Sequence, residues 1–431
     1  MKTTSKLRET LDRQGDYLSQ RLYLVLLALS GLLLVFAILA QPDLSLLQGF
    51  WKIQTSETGL ITDPMATGGV GAALLNASVV LLLSTLLIRQ LGQPFTGAAL
   101  ACLFLMGGFA LLGKNLINIA PILTGGWLHA RYKQERFAKY VYLTLYGTCL
   151  SPMVSFLMVR VRPGFRWVTM ALCGLVIGFL LPAIAGFTTR IHQGYNLYNV
   201  GFAAGILGLG IASVLKGFGV EFDTIGSWSQ GGHWLLVTMV VLLLLGLLLT
   251  GMFIGCRRWS DYRHILHHSG RAVADFVILD GAAPTLVNMS LVGMIGLGYL
   301  LALYPQGVRL NGPLVCCIFA MTGFGAFGKH PKNVLPVMAG AVLAAQLMIE
   351  LPLTSPGVLL ATLLCTCLAP IAGQFGWYWG VAAGFIHMTI VQNTSILHGG
   401  MNLYNNGFAA GLVCILLVPV IEAVKPEPQE E

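Results

Sequence analysis

The sequence predicts an all-α polytopic membrane protein: two inverted-topology repeats with discontinuous or re-entrant helices, about 10–14 membrane segments in all. Three observations predict it. The 431-residue chain is 56% hydrophobic and only 10% charged, where a soluble domain carries about 25% charged residues. Its apolar residues come in runs such as Leu22–Ala40, Val70–Ile88 and Leu235–Gly255, each about 20 residues and so able to cross a hydrocarbon core as a helix. Finally, Asn196-Leu-Tyr-Asn-Val-Gly-Phe-Ala-Ala-Gly205 returns as Asn402-Leu-Tyr-Asn-Asn-Gly-Phe-Ala-Ala-Gly411, differing at one position. A β-barrel would need alternating apolar and polar residues, and that pattern is missing.

The chain opens with a polar stretch carrying Lys2, Lys6, Arg8 and Arg13 before its first apolar run. A cleaved secretion signal has a shorter apolar region and a small-x-small site. Ile38-Leu39-Ala40 offers no such site, so the run reads as a retained first span. In the first half the apolar segments fall at about 22–40, 68–89, 96–112, 116–130, 140–159, 167–189 and 197–216. The first repeat is then residues 1–216 and the second 217–424, followed by a charged, proline-broken tail, 425–431, expected to be disordered.

Orientation follows from the cations, because positive loops stay on the cytoplasmic side. They cluster in the N-terminal tail, at Arg131, Lys133, Arg136 and Lys139, and at Arg257, Arg258, Arg263 and Arg271, whereas residues 41–66 and 217–233 hold Asp43, Glu57, Asp63, Glu221 and Asp223. The loop after the first span is thus acidic, and the loop after its counterpart in the second half is basic. Equivalent loops face opposite sides, which requires an odd number of crossings per repeat. Arg160, Arg162 and Arg166 fall on the outside in this scheme. The expected location is the inner (plasma) membrane, multi-pass, with a cytoplasmic N-terminus.

The repeated segments hold the candidate site residues. In His192-Gln-Gly-Tyr-Asn196-Leu-Tyr198-Asn199 and His398-Gly-Gly-Met-Asn402-Leu-Tyr404-Asn405, glycine and asparagine just ahead of a helix predict a backbone break and an N-cap. Irregular backbone survives in a bilayer only where protein or a wet cavity satisfies it, so both copies should face the interior. The asparagines either serve the broken backbone or bind a polar solute as well. The second pair, Gly113-Lys114 with Asn118 and Gly328-Lys329 with Asn333, marks a helix end beside a helix start. A lysine there can cap the negative end of a helix, or attract an anion.

Glu350 is the one acid of its apolar stretch and reads as a helix-end residue. Asp261, His264, His267 and His268 make a loose cluster, but the arginines around them disfavour a cation, so no metal is expected. The nine cysteines sit in apolar runs and read as core residues. No nucleotide-binding loop, nucleophile elbow, metalloprotease or haem motif occurs. The chain is not expected to be an enzyme or to need a cofactor.

With both N-L-Y-N-x-G-F-A-A-G copies and both G-K-x-x-x-N-x-x-P segments, the sequence resembles an uncharacterised bacterial multi-pass membrane family, domain of unknown function fifteen seventy-six. A weaker likeness is to the urea-transporter fold, whose inverted halves combine spanning and half-helices. Its L-P-x-x-T-x-P-F signature is absent; Leu351-Pro-Leu-Thr354-Ser-Pro356 has other spacing and no Phe.

The expected function is a channel or facilitative transporter for a small polar solute, with a path between the repeats near Asn196, Asn199, Asn402 and Asn405 and with Tyr198 and Tyr404 as wall or gate residues. The alternatives are an ion-coupled secondary transporter, including one for an anion, and a non-transporting membrane subunit of a larger complex. The expected partners are the lipid bilayer and the solute, with a homo-oligomer left open and no nucleic acid.

Overall fold

The computed structural model describes residues 21–162, 164–222, 226–348 and 352–424. It is all-helical, and among the described residues nine helices are long and apolar enough to cross a membrane. Seven principal helices occupy the first half: α1 (Tyr23–Ala40), α2 (Val70–Gln90), α3 (Gly97–Phe109), α4 (Leu116–Tyr132), α5 (Val141–Arg160), α6 (Arg166–Ile191) and α7 (Asn199–Gly217). The second half holds α8 (His233–Ile254), α9 (Ala282–Ala302), α10 (Gly312–Phe324), α11 (Pro331–Leu347), α12 (Pro356–Phe375), α13 (Trp377–Thr394) and α14 (Asn405–Val424). The apolar segments read from the sequence match α1 to α7 closely. An amphipathic helix, Ser45–Thr55, lies where only an acidic loop was expected.

Helix length sets two elements apart from the spans. At 1.5 Å per residue, the 13 residues of α3 and of α10 rise about 20 Å, too short for a core of about 30 Å. Both are buried along almost their whole length and pack on one another. They are the central pair. The helices at the periphery bear the lipid-facing side chains: α6 exposes Trp167, Val168, Leu172 and Phe187, and α8 exposes Leu242, Leu245, Leu249 and Phe253. Outward-facing apolar residues of this kind fit a lipid environment.

Contacts inside one half reappear between the corresponding helices of the other. Helix α1 packs on α2 as α8 does on α9, and α4 on α6 as α11 does on α13. The interfaces share chemistry. Ser30 on α1 and Ser78 on α2 each donate a hydroxyl to the other's backbone carbonyl at 2.9 and 2.8 Å, and Ser290 on α9 donates to the Leu244 carbonyl on α8 at 2.7 Å. A Cβ on Gly178 would stand 2.0 Å from the Ile122 carbonyl, and one on Gly384 would stand 1.9 Å from that of Val337. Backbones this close need glycine, and close approach is what drives helix association where lipid supplies no hydrophobic force. Across the halves, α1 meets α8, α3 meets α10 and α7 meets α14.

Two aspartates lock the halves together. Asp275, 4% exposed, caps the short helix Phe276–Leu279 and also accepts from Gly97 N (2.9 Å) and Ala98 N (3.0 Å), the first amides of α3. Asp63, fully buried, caps the helix Pro64–Gly68 and accepts from Ser229 N (3.1 Å) and from the Gly312 amide that opens α10. Each carboxylate thus serves a helix N-terminus of the opposite half, where unpaired amides and the helix dipole favour negative charge.

Candidate functional site

The candidate site is built from four chain reversals in the interior. Helix α3 ends at Phe109, and Gly113 at φ +151° turns the chain into α4. Asn115 and Asn118 cap that start reciprocally: the Asn115 side chain accepts from Asn118 N at 2.9 Å, and the Asn118 side chain accepts from Asn115 N at 2.8 Å. Asn118 Nδ2 donates back to the Gly113 carbonyl at 2.9 Å. The second copy behaves likewise. Asn333 accepts from His330 N and donates to the Gly328 carbonyl, both at 2.9 Å. Asn333 is therefore spent on local backbone, and Asn118 on local backbone and on the Ser155 hydroxyl, to which its Nδ2 also donates at 2.8 Å.

These turns project Lys114 and Lys329 into the core, where both are fully buried. Each reaches the opposite half. Lys114 Nζ donates to the Tyr404 hydroxyl and Lys329 Nζ to the Tyr198 hydroxyl, both at 2.8 Å, and Lys329 donates also to Thr366 Oγ1 at 2.8 Å. Aromatic faces complete the surroundings: Lys114 lies 4.7 Å from the Tyr404 ring centroid and 5.6 Å from that of Phe109, Lys329 4.6 Å from Tyr198 and 5.3 Å from Phe324. Among the described residues, neither lysine forms an ion pair with a carboxylate.

The tyrosines are placed by the other two reversals. After α6, Gln193 and Gly194 take positive φ (51° and 84°), and α7 begins at Asn199. Asn196 accepts from Tyr198 N at 2.9 Å and donates to the Gly407 carbonyl at 2.8 Å, stitching this turn to α14. Asn402 likewise accepts from Tyr404 N at 2.9 Å, but its Nδ2 has no partner among the described residues. Asn199 binds Thr188, His192 and the Ala185 carbonyl at 2.7–3.1 Å, while Asn405 binds Thr394 and the Val391 carbonyl at 2.8 and 3.3 Å. His192 and His398 sit edge-on to Phe202 and Phe408. The N-termini of α7 and α14 cross where a Cβ on Gly201 would lie 3.0 Å from the Gly407 Cα.

Beside this crossing lies a cavity of about 150 Å³, lined by Tyr198, Tyr404, Asn199, Gly201, Tyr146, Phe324 and Phe327 among others. A second one, of about 230 Å³, opens beside Gly399, Gly400 and Met401 against Glu57, Thr58 and Leu60. The structure thus gathers Tyr198, Tyr404 and Asn199 around one space, with Lys114 and Lys329 bonded to the two tyrosine hydroxyls. It sets Asn118, Asn333, Asn196 and Asn405 into backbone bonding.

Two supporting residues were missed. Asn76 Nδ2 donates to the carbonyls of Ala110 (2.9 Å) and Lys114 (2.8 Å), and Asn288 Nδ2 to those of Gly325 (2.6 Å) and Lys329 (2.7 Å). The signal was present as Asn76-Ala-Ser78 and Asn288-Met-Ser290 at like places in two apolar runs. Asp280 was missed as well. It binds both His264 Nδ1 and His268 Nε2, at 2.5 and 2.8 Å, beneath a loop whose arginines 257, 258 and 263 are exposed. Glu350 lies outside the described residues. None of the cysteines is in a disulfide, and all but the half-buried Cys173 are buried.

Residues 43–217 and 254–423 match the family described as protein of unknown function (DUF1576). The chain belongs to this family. No curated protein and no solved structure matches, so the likeness to the urea-transporter fold is unsupported. The match establishes kinship and carries no activity with it.

Proposed function

We propose that this protein is an inner-membrane channel or facilitative transporter, with a path for a small polar solute between its two halves. The observation that carries the reading is the reciprocal pair Lys114–Tyr404 and Lys329–Tyr198 beside a cavity at the crossing of α7 and α14. An ionisable side chain inside a membrane protein is expensive to keep, and is usually retained for a path or a binding site. A structural cap needs no partner in the opposite half.

The two halves are read as inverted repeats about an axis in the membrane plane, with the N-terminus in the cytoplasm and no chemical step. Like elements meet across the halves in α3–α10 and α7–α14, and a path along such an axis would run through those contacts. The reading is tested by solute flux into vesicles holding the purified protein. Uptake should fall strongly in a Lys114→Met, Lys329→Met double variant that remains monodisperse in detergent; unchanged uptake would remove the lysine pair from the path.

A further inference from the structure

We propose that the solute is a small, weakly hydrated monovalent anion, bound by the hydroxyls of Tyr198 and Tyr404 with Lys329 and Lys114 supplying the counter-charge behind them. This names the substrate class and rests on the transport reading above.

Hydrogen-bond direction carries the first step. An ammonium has donors and no acceptor, so each tyrosine oxygen accepts from its lysine. The phenolic proton is then left for another acceptor, and among the described residues neither hydroxyl makes a second hydrogen bond. Both tyrosines line the 150 Å³ cavity. A phenol whose oxygen already accepts from a cation is a strengthened donor, because hydrogen bonds in a chain polarise one another. Two such tyrosines, one from each half, border one space.

Charge carries the second step. The described surroundings of both lysines hold hydroxyls, thiols and aromatic rings, and no carboxylate pairs with either. Buried charge without a counter-ion is costly, and a cationic solute would add to that cost. The N-termini of α7 and α14, which meet beside the cavity, contribute partial positive charge of the same sign. An anion in the cavity is the species that relieves all of these at once.

The lining carries the third. Leu105, Phe324, Phe327 and Tyr146 leave few polar groups to replace a hydration shell, so an ion that loses water cheaply is preferred. Aromatic edges are positive and suit an anion, whereas their faces suit a cation. At about 150 Å³ the space holds nitrate or a halide with a few waters, each taking about 30 Å³ in the liquid.

The experiment uses the full chain in liposomes, with potassium nitrate as probe, valinomycin to balance charge, and potassium sulfate and urea as comparison solutes. Nitrate flux should exceed sulfate flux by at least about tenfold. A Tyr198→Phe, Tyr404→Phe double variant, which keeps both rings, should lower nitrate flux about tenfold or more, since a bond to a charged group is worth that much. If urea passes and nitrate does not, the anion assignment falls while the path stands; if nothing passes, the transport reading itself falls. Should the double variant fail to fold, each single Phe variant is measured alone, and nitrate flux equal to wild type in both would overturn the proposal.

Discussion

Replacing Asp275 by alanine tests whether the halves hold one another as the structure indicates. Its carboxylate accepts from Gly97 N at 2.9 Å, Ala98 N at 3.0 Å and Val277 N at 3.1 Å, from a side chain 4% exposed. Hydrogen bonds to a charged acceptor are worth about 1.5–3 kcal/mol each, and losing a helix cap costs about 0.5–2 kcal/mol. Taking low values because amides at a helix start find partial substitutes, Asp275→Ala should cost about 3–5 kcal/mol. That is a large share of a folding free energy of about 5–15 kcal/mol, and should lower the apparent unfolding midpoint in detergent by roughly 5–10 °C. Asp275→Asn keeps one accepting oxygen and turns an amide towards Ala98 N, so it should fall between wild type and Asp275→Ala. Asp261 caps the exposed turn at Arg257 and Arg258, where water can replace it, and Asp261→Ala should leave the midpoint almost unmoved. A midpoint for Asp275→Ala equal to that of Asp261→Ala would refute the reciprocal capping.

Asn288→Ala removes its bonds to the carbonyls of Gly325 and Lys329 and the one it accepts from the Tyr262 hydroxyl; it should cost about 2–3 kcal/mol, read by thermal unfolding. Gly384→Val puts a branched side chain where even a Cβ meets a carbonyl at 1.9 Å, so the variant should aggregate on size-exclusion chromatography, and a monodisperse peak would contradict the packing of α11 on α13. Burial pushes the Asp63 carboxyl up to about 6, against the pull of its Met65, Ser229 and Gly312 amides. A folded value above the unfolded 3.8 means stability present below about pH 4 and lost as pH rises through 6, by up to about 3 kcal/mol; the pH slope of Asp63→Asn should be flatter, and an identical slope would exclude this titration. Cysteines placed at Gln48 and Ser260, in a chain whose own cysteines are mostly buried, should react with an impermeant thiol reagent from opposite sides of the membrane. Labelling from one side would end the inverted reading.

The spans were legible because a helix crossing lipid must satisfy its own backbone and show an apolar surface over a fixed length. That constraint is local, and so α1 to α7 could be bounded from residue order. The helix Ser45–Thr55 escaped because it is amphipathic, with Leu47 and Trp51 exposed and Ile53 buried, and its run is too short to span. Repetition picked out Lys114, Tyr198, Lys329 and Tyr404, yet nothing in either motif said that each lysine would seek the tyrosine of the other copy. Lys114 and Tyr404 are 290 positions apart. Such pairing is set by the crossing of α7 and α14, a property of two helices together. Asn76 and Asn288 were hidden for the opposite reason: one polar residue in an apolar run breaks no periodicity, and its value appears only when the carbonyls it caps are known.

The asparagines and the lysines thus separate by what hydrogen bonding leaves over. Asn118, Asn333 and Asn405 each serve backbone groups released where a helix stops, and Asn196 bonds the Gly407 carbonyl in the first turn of α14; that service is a condition for irregular chain inside a membrane. A residue so occupied has little left to offer any further ligand. The tyrosine hydroxyls keep a proton to donate, because the lysines behind them donate and cannot accept. The surroundings of the two motifs differ as well. Beside the second motif lies the 230 Å³ cavity along Gly399 and Gly400, whereas beside the first Arg271 donates to the Gln193 carbonyl at 2.7 Å and stacks 4.4 Å above the Tyr195 ring. On the proposed two-ended path both approaches are needed, and the Arg271 contact is then the one expected to yield for solute to reach Tyr198 from that end.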